Sequence, residues 1–374
     1  MCKNLFCIIG TFLLFISTSC TQADKELYMF VGTYAEESES GIYLYRFNTE
    51  DGSVVLVKEV SGIVNPTYMN LSKDEKFLYS VAEGWAPNAK AHAYSFDKKA
   101  ADIRLLNKQA TEGNSPCHIW VDSKNRLAVT SNYTGGSLSA YPLLPTGELG
   151  ELMLYTYEGG TPGSARQDAP HLHCVFASPD EKYLYANDLG TDRIYKYELI
   201  SSEDGKLTMK EGQPTYFSVP AGEGPRHATF HPNGKFAYLI NELSGNVIVF
   251  QYDNGNLKPV QSIEADSLKA SGSADIHITP DGRFLYASNR HKGDGLAIFS
   301  IDKKSGQLTK TGYQPTEKVP RNFVITPDGG FLLCACQDSN VIQVFAIDKK
   351  SGILKNIQKD ITVNKPVCVK FASM

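Results

Sequence analysis

Hydrophobic and polar residues alternate with a period of two through many short segments, such as Val247-Ile-Val-Phe-Gln-Tyr252, Ala297-Ile-Phe-Ser-Ile301 and Val341-Ile-Gln-Val-Phe-Ala-Ile347. This is the pattern of half-buried β-strands. The segments belong to a repeat. Asn70-Leu-Ser-Lys-Asp-Glu-Lys-Phe-Leu-Tyr79 returns as Ala177-Ser-Pro-Asp-Glu-Lys-Tyr-Leu-Tyr185, Phe230-His-Pro-Asn-Gly-Lys-Phe-Ala-Tyr238, Ile278-Thr-Pro-Asp-Gly-Arg-Phe-Leu-Tyr286 and Ile325-Thr-Pro-Asp-Gly-Gly-Phe-Leu-Leu333, with a weaker copy at Val121–Val129. A marker position at the turn, Pro in four copies, falls at 73, 123, 179, 232, 280 and 327. Each unit reads strand, tight turn, strand, polar loop, strand, Asp/Gly turn, strand. Four strands in roughly 50 residues make one propeller blade. Tyr28–Thr33 enters the repeat halfway, and Pro366–Phe371 matches the strand that the first unit lacks. Six full markers and one split unit predict an all-β, seven-bladed β-propeller of four-stranded blades. Its last strand pairs into the first blade and closes the ring without a free edge.

The first residues do not fit this pattern. Lys3 precedes an apolar run, Leu5 to Ile16, followed by Ser17-Thr18-Ser19-Cys20. A basic start, a short apolar core and small residues before a cut read as a signal peptide over residues 1–19. Cys20 directly after small residues resembles a bacterial lipoprotein signal, with Cys20 as the lipidated residue. Residues 20–26 then form a polar tether and 27–374 a single propeller domain. The expectation is an exported periplasmic or outer-membrane lipoprotein, touching membrane only through its lipid, and a monomer.

Composition narrows the function. With 42% hydrophobic and 21% charged residues the chain is globular, and at net charge −4 it lacks the basic excess of a nucleic-acid binder. No CxxC pair occurs, so Cys117, Cys174, Cys334, Cys336 and Cys368 read as small buried hydrophobes. There is no Gly-x-Ser-x-Gly elbow, phosphate loop or dinucleotide fingerprint.

Chemistry in a propeller belongs where aligned strands face the central channel. Six residues before the marker stand Thr67, Cys117, His173, Arg226, Ala274, Arg321 and, in the last strand, Val367. Ten after it, and at the equivalent point of the split unit, stand Tyr34, Glu83, Tyr133, Leu189, Glu242, Arg290 and Gln337. Packing would fill such equivalent sites with similar residues, so His, Arg, Glu and Arg in consecutive blades mark a site. Register puts Arg226 and Glu242 side by side at one end of a hairpin.

Gly224-Pro-Arg-His-Ala-Thr-Phe-His-Pro-Asn233, Ala237-Tyr-Leu-Ile-Asn-Glu-Leu243, Ala274-Asp-Ile-His-Ile-Thr-Pro-Asp-Gly282 with Asn289-Arg290, Pro320-Arg321 and Arg166-Gln-Asp-Ala-Pro-His-Leu-His173 are long, specific motifs. They resemble the 6-phosphogluconolactonase and 3-carboxy-cis,cis-muconate lactonizing enzyme family across the mature chain. The resemblance implies a seven-bladed propeller and cofactor-free chemistry on a small lactone. It places His173 (or His171), Arg226, Glu242 and Arg290 in the catalytic site, and Arg166, His171, Asp188 and Arg321 are candidate substrate contacts. Glu242 beside two arginines suits an anchor, which leaves His173 as the better base near neutrality, although either can serve. His171 and His173 lack a third ligand of evident spacing, so no metal is expected. Gly159-Gly-Thr-Pro-Gly163, in the longest repeat interval, is expected to shape the channel mouth. The competing readings are a muconate-type cycloisomerase and a non-catalytic propeller that binds a ligand or partner.

Overall fold

A computed structural model describes residues 25–36 and 38–374. The proposed signal peptide, Cys20 and most of the tether lie outside them. Among the described residues there are 29 strands, one short 3₁₀ turn at Gln337–Ser339 and no α-helix. The strands form seven sheets of four strands, the last with one extra two-residue strand. Within six of them the strands follow chain order from the channel outward. In the remaining sheet the C-terminal strand Pro366–Ser373 lies inside Glu26–Thr33 and pairs with it antiparallel, Leu27 opposite Ser373 and Gly32 opposite Cys368. The ring therefore closes as the split repeat requires.

The turn between the first two strands of each blade has one geometry whatever its sequence. The residue two after the marker is left-handed in all six full units: φ is 70°, 73° and 68° at Gly234, Gly282 and Gly329, but also 56°, 56° and 50° at Glu75, Asn125 and Glu181. Glycine takes this conformation freely, and the other three hold it against a modest steric cost. Three pairs of neighbouring blades are tied by the tyrosine that ends the repeat motif. The buried hydroxyls of Tyr79, Tyr238 and Tyr286 donate to the carbonyls of Gly147, Gly306 and Gly352 at 3.0, 2.8 and 2.7 Å. Each of these acceptors lies in the outer turn of the next blade.

The cores lie between blades. Met29, Val31 and Phe47 of the first blade pack with Leu333, Ile342 and Val344, and Trp120, Leu127 and Val129 pack with Val175, Leu184 and Ala186. Burying each such side chain contributes about 1.5–3 kcal/mol. The five cysteines in the described residues are unpaired and buried. This packing fixes seven inner strands around a channel, and that channel carries the polar side chains.

Candidate functional site

Most of the positions six before the marker are bulged residues. Pro225 pairs with Asn241 and His227 with Ile240, which leaves Arg226 out of register. The same irregularity leaves out Cys117, His173, Arg321 and Val367. A bulge re-aims a side chain and recurs beside functional sites. Glu242 directly follows the strand Phe236–Asn241, at the end of the hairpin where Arg226 bulges.

Arg226, Glu242, Arg290, Arg166 and His173 converge. Arg226 is 1% exposed; its Nε donates to Glu242 Oε2 at 2.7 Å and its Nη1 to the Ala274 carbonyl at 2.6 Å. Glu242 Oε1 accepts from Arg166 Nη2 at 2.7 Å and lies 3.2 Å from Arg290 Nη2. Arg290 is fixed by its Nε donating to the Gly272 carbonyl at 2.7 Å. His173 Nε2 lies 3.9 Å from Glu242 Oε2, and its Nδ1 lies 3.8 Å from Cys117 Sγ.

Charge sets the protonation states. Burial works against an ionised Glu242, but Arg290, Arg226 and Arg166 outweigh it and bring its pKa down to about 2. Burial, then the nearby Arg226, His227 and Arg321, push His173 well below its ordinary value, so its ring is neutral near pH 7. Burial also lowers Arg290, to about 9, because one carboxylate among crowded guanidiniums does not fully compensate it. The cluster thus carries uncompensated positive charge.

Of these groups Arg166, His173 and Glu242 line a pocket of about 220 Å³, together with Glu83, Cys117, Tyr133 and Arg321, while Arg226 and Arg290 contact Glu242 without being among the lining residues. Arg166 reaches it from the segment that holds Gly159–Gly163. There Thr161 N donates to Gln167 O at 2.5 Å, and Gln167 Nε2 donates to Leu189 O at 2.9 Å. The long interval thus supplies a guanidinium whose side chain is 44% exposed, while Gly159–Gly163 are not among the residues lining the pocket. Arg321 lies on the other wall, 3.6 Å from Glu83. Glu83 also accepts from Tyr34 at 3.0 Å and Thr67 at 2.5 Å.

His171 and Asp188 do not line this pocket. The strand begins at Leu172, so His171 lies before it and stacks on Tyr133 at 4.5 Å. Its Nδ1 pairs with the Tyr133 carbonyl at 3.0 Å. Asp188 is buried and accepts from His171 N, Gly190 N and Thr191 Oγ1 at 2.7, 2.9 and 2.6 Å. Among the described residues, no three His, Cys, Asp or Glu side chains are placed to hold a metal ion. Glu83, Tyr133 and Cys117 also line the pocket; register places them at the channel, but nothing in their motifs singles them out as site residues.

Comparison with known proteins agrees with this architecture: residues 28–371 match the family described as lactonase, 7-bladed beta-propeller. The chain belongs to that family. A 6-phosphogluconolactonase of Formosa agariphila is 39% identical to this family member over 90% of the chain and 97% of its own length. A solved structure from Bacteroides fragilis, described as a putative 6-phosphogluconolactonase, superposes with a TM-score of 0.90. It has 46% identity and covers 94% of this chain and 99% of its own. The periplasmic gluconolactonase of Pseudomonas aeruginosa superposes with a TM-score of 0.87 at 32% identity, covering 93% of this chain and 99% of its own.

Proposed function

We propose that the chain hydrolyses an anionic sugar-acid lactone in this pocket, by general-base attack of water and without a metal. The observation that carries the reading is the single Glu242 carboxylate held by Arg166, Arg226 and Arg290 beside a neutral imidazole. A water between His173 Nε2 and Glu242 gives its proton to the ring as its oxygen attacks the lactone carbonyl. Glu242 stabilises the resulting imidazolium. Arg226 and Arg290 are buried and pre-oriented, as stabilisation of an oxyanion requires. Arg166 and Arg321, on opposite walls, grip the carboxylate or phosphate of the substrate, and that anion offsets the surplus positive charge.

The test is a panel of phosphorylated, carboxylated and neutral aldonolactones, hydrolysed with a chelator present and spontaneous hydrolysis subtracted. Anionic lactones should turn over fastest. Failure on every lactone would reduce the pocket to a binding site, and loss of activity to the chelator would remove the metal-free mechanism.

We also infer that the enzyme works outside the cytoplasm, anchored through acylated Cys20. The pattern of Lys3, the apolar run and Ser17-Thr18-Ser19-Cys20 supports this, as does a relative named periplasmic.

A further inference from the structure

Beneath the pocket, further along the inner strands, lies a second polar layer that the mechanism above does not use. His227 follows Arg226, and its ring centroid is 5.2 Å from that of His173. Its Nδ1 bonds Asp275 Oδ1 at 2.8 Å, while the other carboxylate oxygen meets His277 Nε2 at 3.0 Å. With the Nδ1 proton committed to Asp275, His227 Nε2 is left as an acceptor, and this buried nitrogen has no protein partner. A buried unpaired polar atom requires an explanation. His227 also borders a cavity of about 80 Å³, with Tyr68, His118, Asp275 and His277 among its lining, which has room for water. The side chain of His277 is 28% exposed, so this lining reaches solvent.

Resting on the lactonase reading, we propose that His227, with Asp275 as its counter-ion, is the proton outlet of the reaction. Hydrolysis breaks the acyl–oxygen bond of the ring and forms a bond from the acyl carbon to the water oxygen. His173 returns the proton it took from the water to the leaving ring oxygen, the new carboxylic acid gives its own proton to His173 as it ionises, and this one proton remains over. Bound product fills the mouth above His173, so that proton leaves downward. It passes from His173 to His227 Nε2, then from the same nitrogen to water in the cavity, and on to solvent past His277. The groups facing His227 are Arg226 on its own strand, His173 and Cys174 from the preceding blade, His118 and Tyr68 from the two before that, and Asp275 from the next. Burial and then Arg226 bring His227 down to about 4 against the pull of Asp275. It is therefore neutral between turnovers and free to accept.

Asp275 also bonds Asn322, so a purely structural clamp is the competing role. Chemical rescue separates the two. In His227→Gln, kcat on an anionic lactone should fall about tenfold or more at unchanged KM, and added imidazole should restore it. Unchanged kcat, or a loss that imidazole does not rescue, overturns the outlet. His277→Gln alters a partly exposed ring at the far end of the cavity and gives a readout even if His227→Gln fails to fold. It should show a smaller loss that imidazole rescues, and full activity in it overturns the outlet. If the unmodified protein hydrolyses no lactone, the functional reading fails first. If it does and these variants match it, only the outlet fails.

Discussion

Glu242→Gln removes one charge from the centre of the site and keeps its shape. The carboxyl falls from an ordinary 4.5 to about 2 in the folded protein, a difference that corresponds to about 3 kcal/mol of stability at pH 7. Leaving Arg226 and Arg290 buried without their carboxylate gives an independent figure of about 3–5 kcal/mol. In a domain of this size about 3 kcal/mol lowers Tm by about 4 °C. The pH dependence has a fixed sign. A depressed carboxyl stabilises the fold above pH 4.5, and the benefit disappears as pH falls toward 2. The gap in Tm between the two proteins should therefore be full at pH 7 and close on acidification. Thermal unfolding at a series of pH values measures it. A Gln variant as stable as the unmodified protein at pH 7, or a gap that widens in acid, would refute the clamp.

Three further outcomes follow from particular contacts. Arg166→Ala removes a half-exposed guanidinium from the rim, so KM for an anionic lactone should rise about tenfold with little change in Tm; steady-state kinetics at constant ionic strength checks it. A methyl group on Gly190 would sit 1.8 Å from the Ala169 carbonyl, so Gly190→Ala must push away the segment that carries Arg166 and should raise KM in the same way. Unchanged kinetics would detach that segment from the site. Cys20→Ala should release the protein from the membrane fraction, and firm retention on fractionation would remove the lipid anchor from the account.

The fold was legible because the repeat carries its own register. Period-two patterning and the turn motif placed Arg226 and Glu242 at one hairpin end, and they touch at 2.7 Å. The same register named Glu83, Thr67, Tyr34 and Arg321. It put Thr67 and Glu83 at one hairpin end with Tyr34 in the neighbouring blade, but it did not show that Arg321 reaches Glu83, because the last blade comes round to the first only once the ring has closed on the C-terminal strand. His171 looked like a twin of His173 for a similar reason. Spacing assumes a strand through both, but the strand starts at Leu172, and the Asp188 carboxylate holds His171 N outside it. Cys117 read as packing, since nothing in a sequence indicates that a bulge will turn its thiol to within 3.8 Å of His173.

Hydrolysis of an anionic sugar lactone by the purified domain, unmodified against Arg226→Ala and Arg226→Lys, tests the central claim most directly. Arg226 holds Glu242 and in the proposed mechanism stabilises the oxyanion, so the Ala variant should lose about two orders of magnitude or more in kcat. Lys should restore little, because a point charge cannot reach both Glu242 and the Ala274 carbonyl as the guanidinium does. A folded Arg226→Ala protein that hydrolyses the lactone at the full rate would place the chemistry elsewhere and contradict the account.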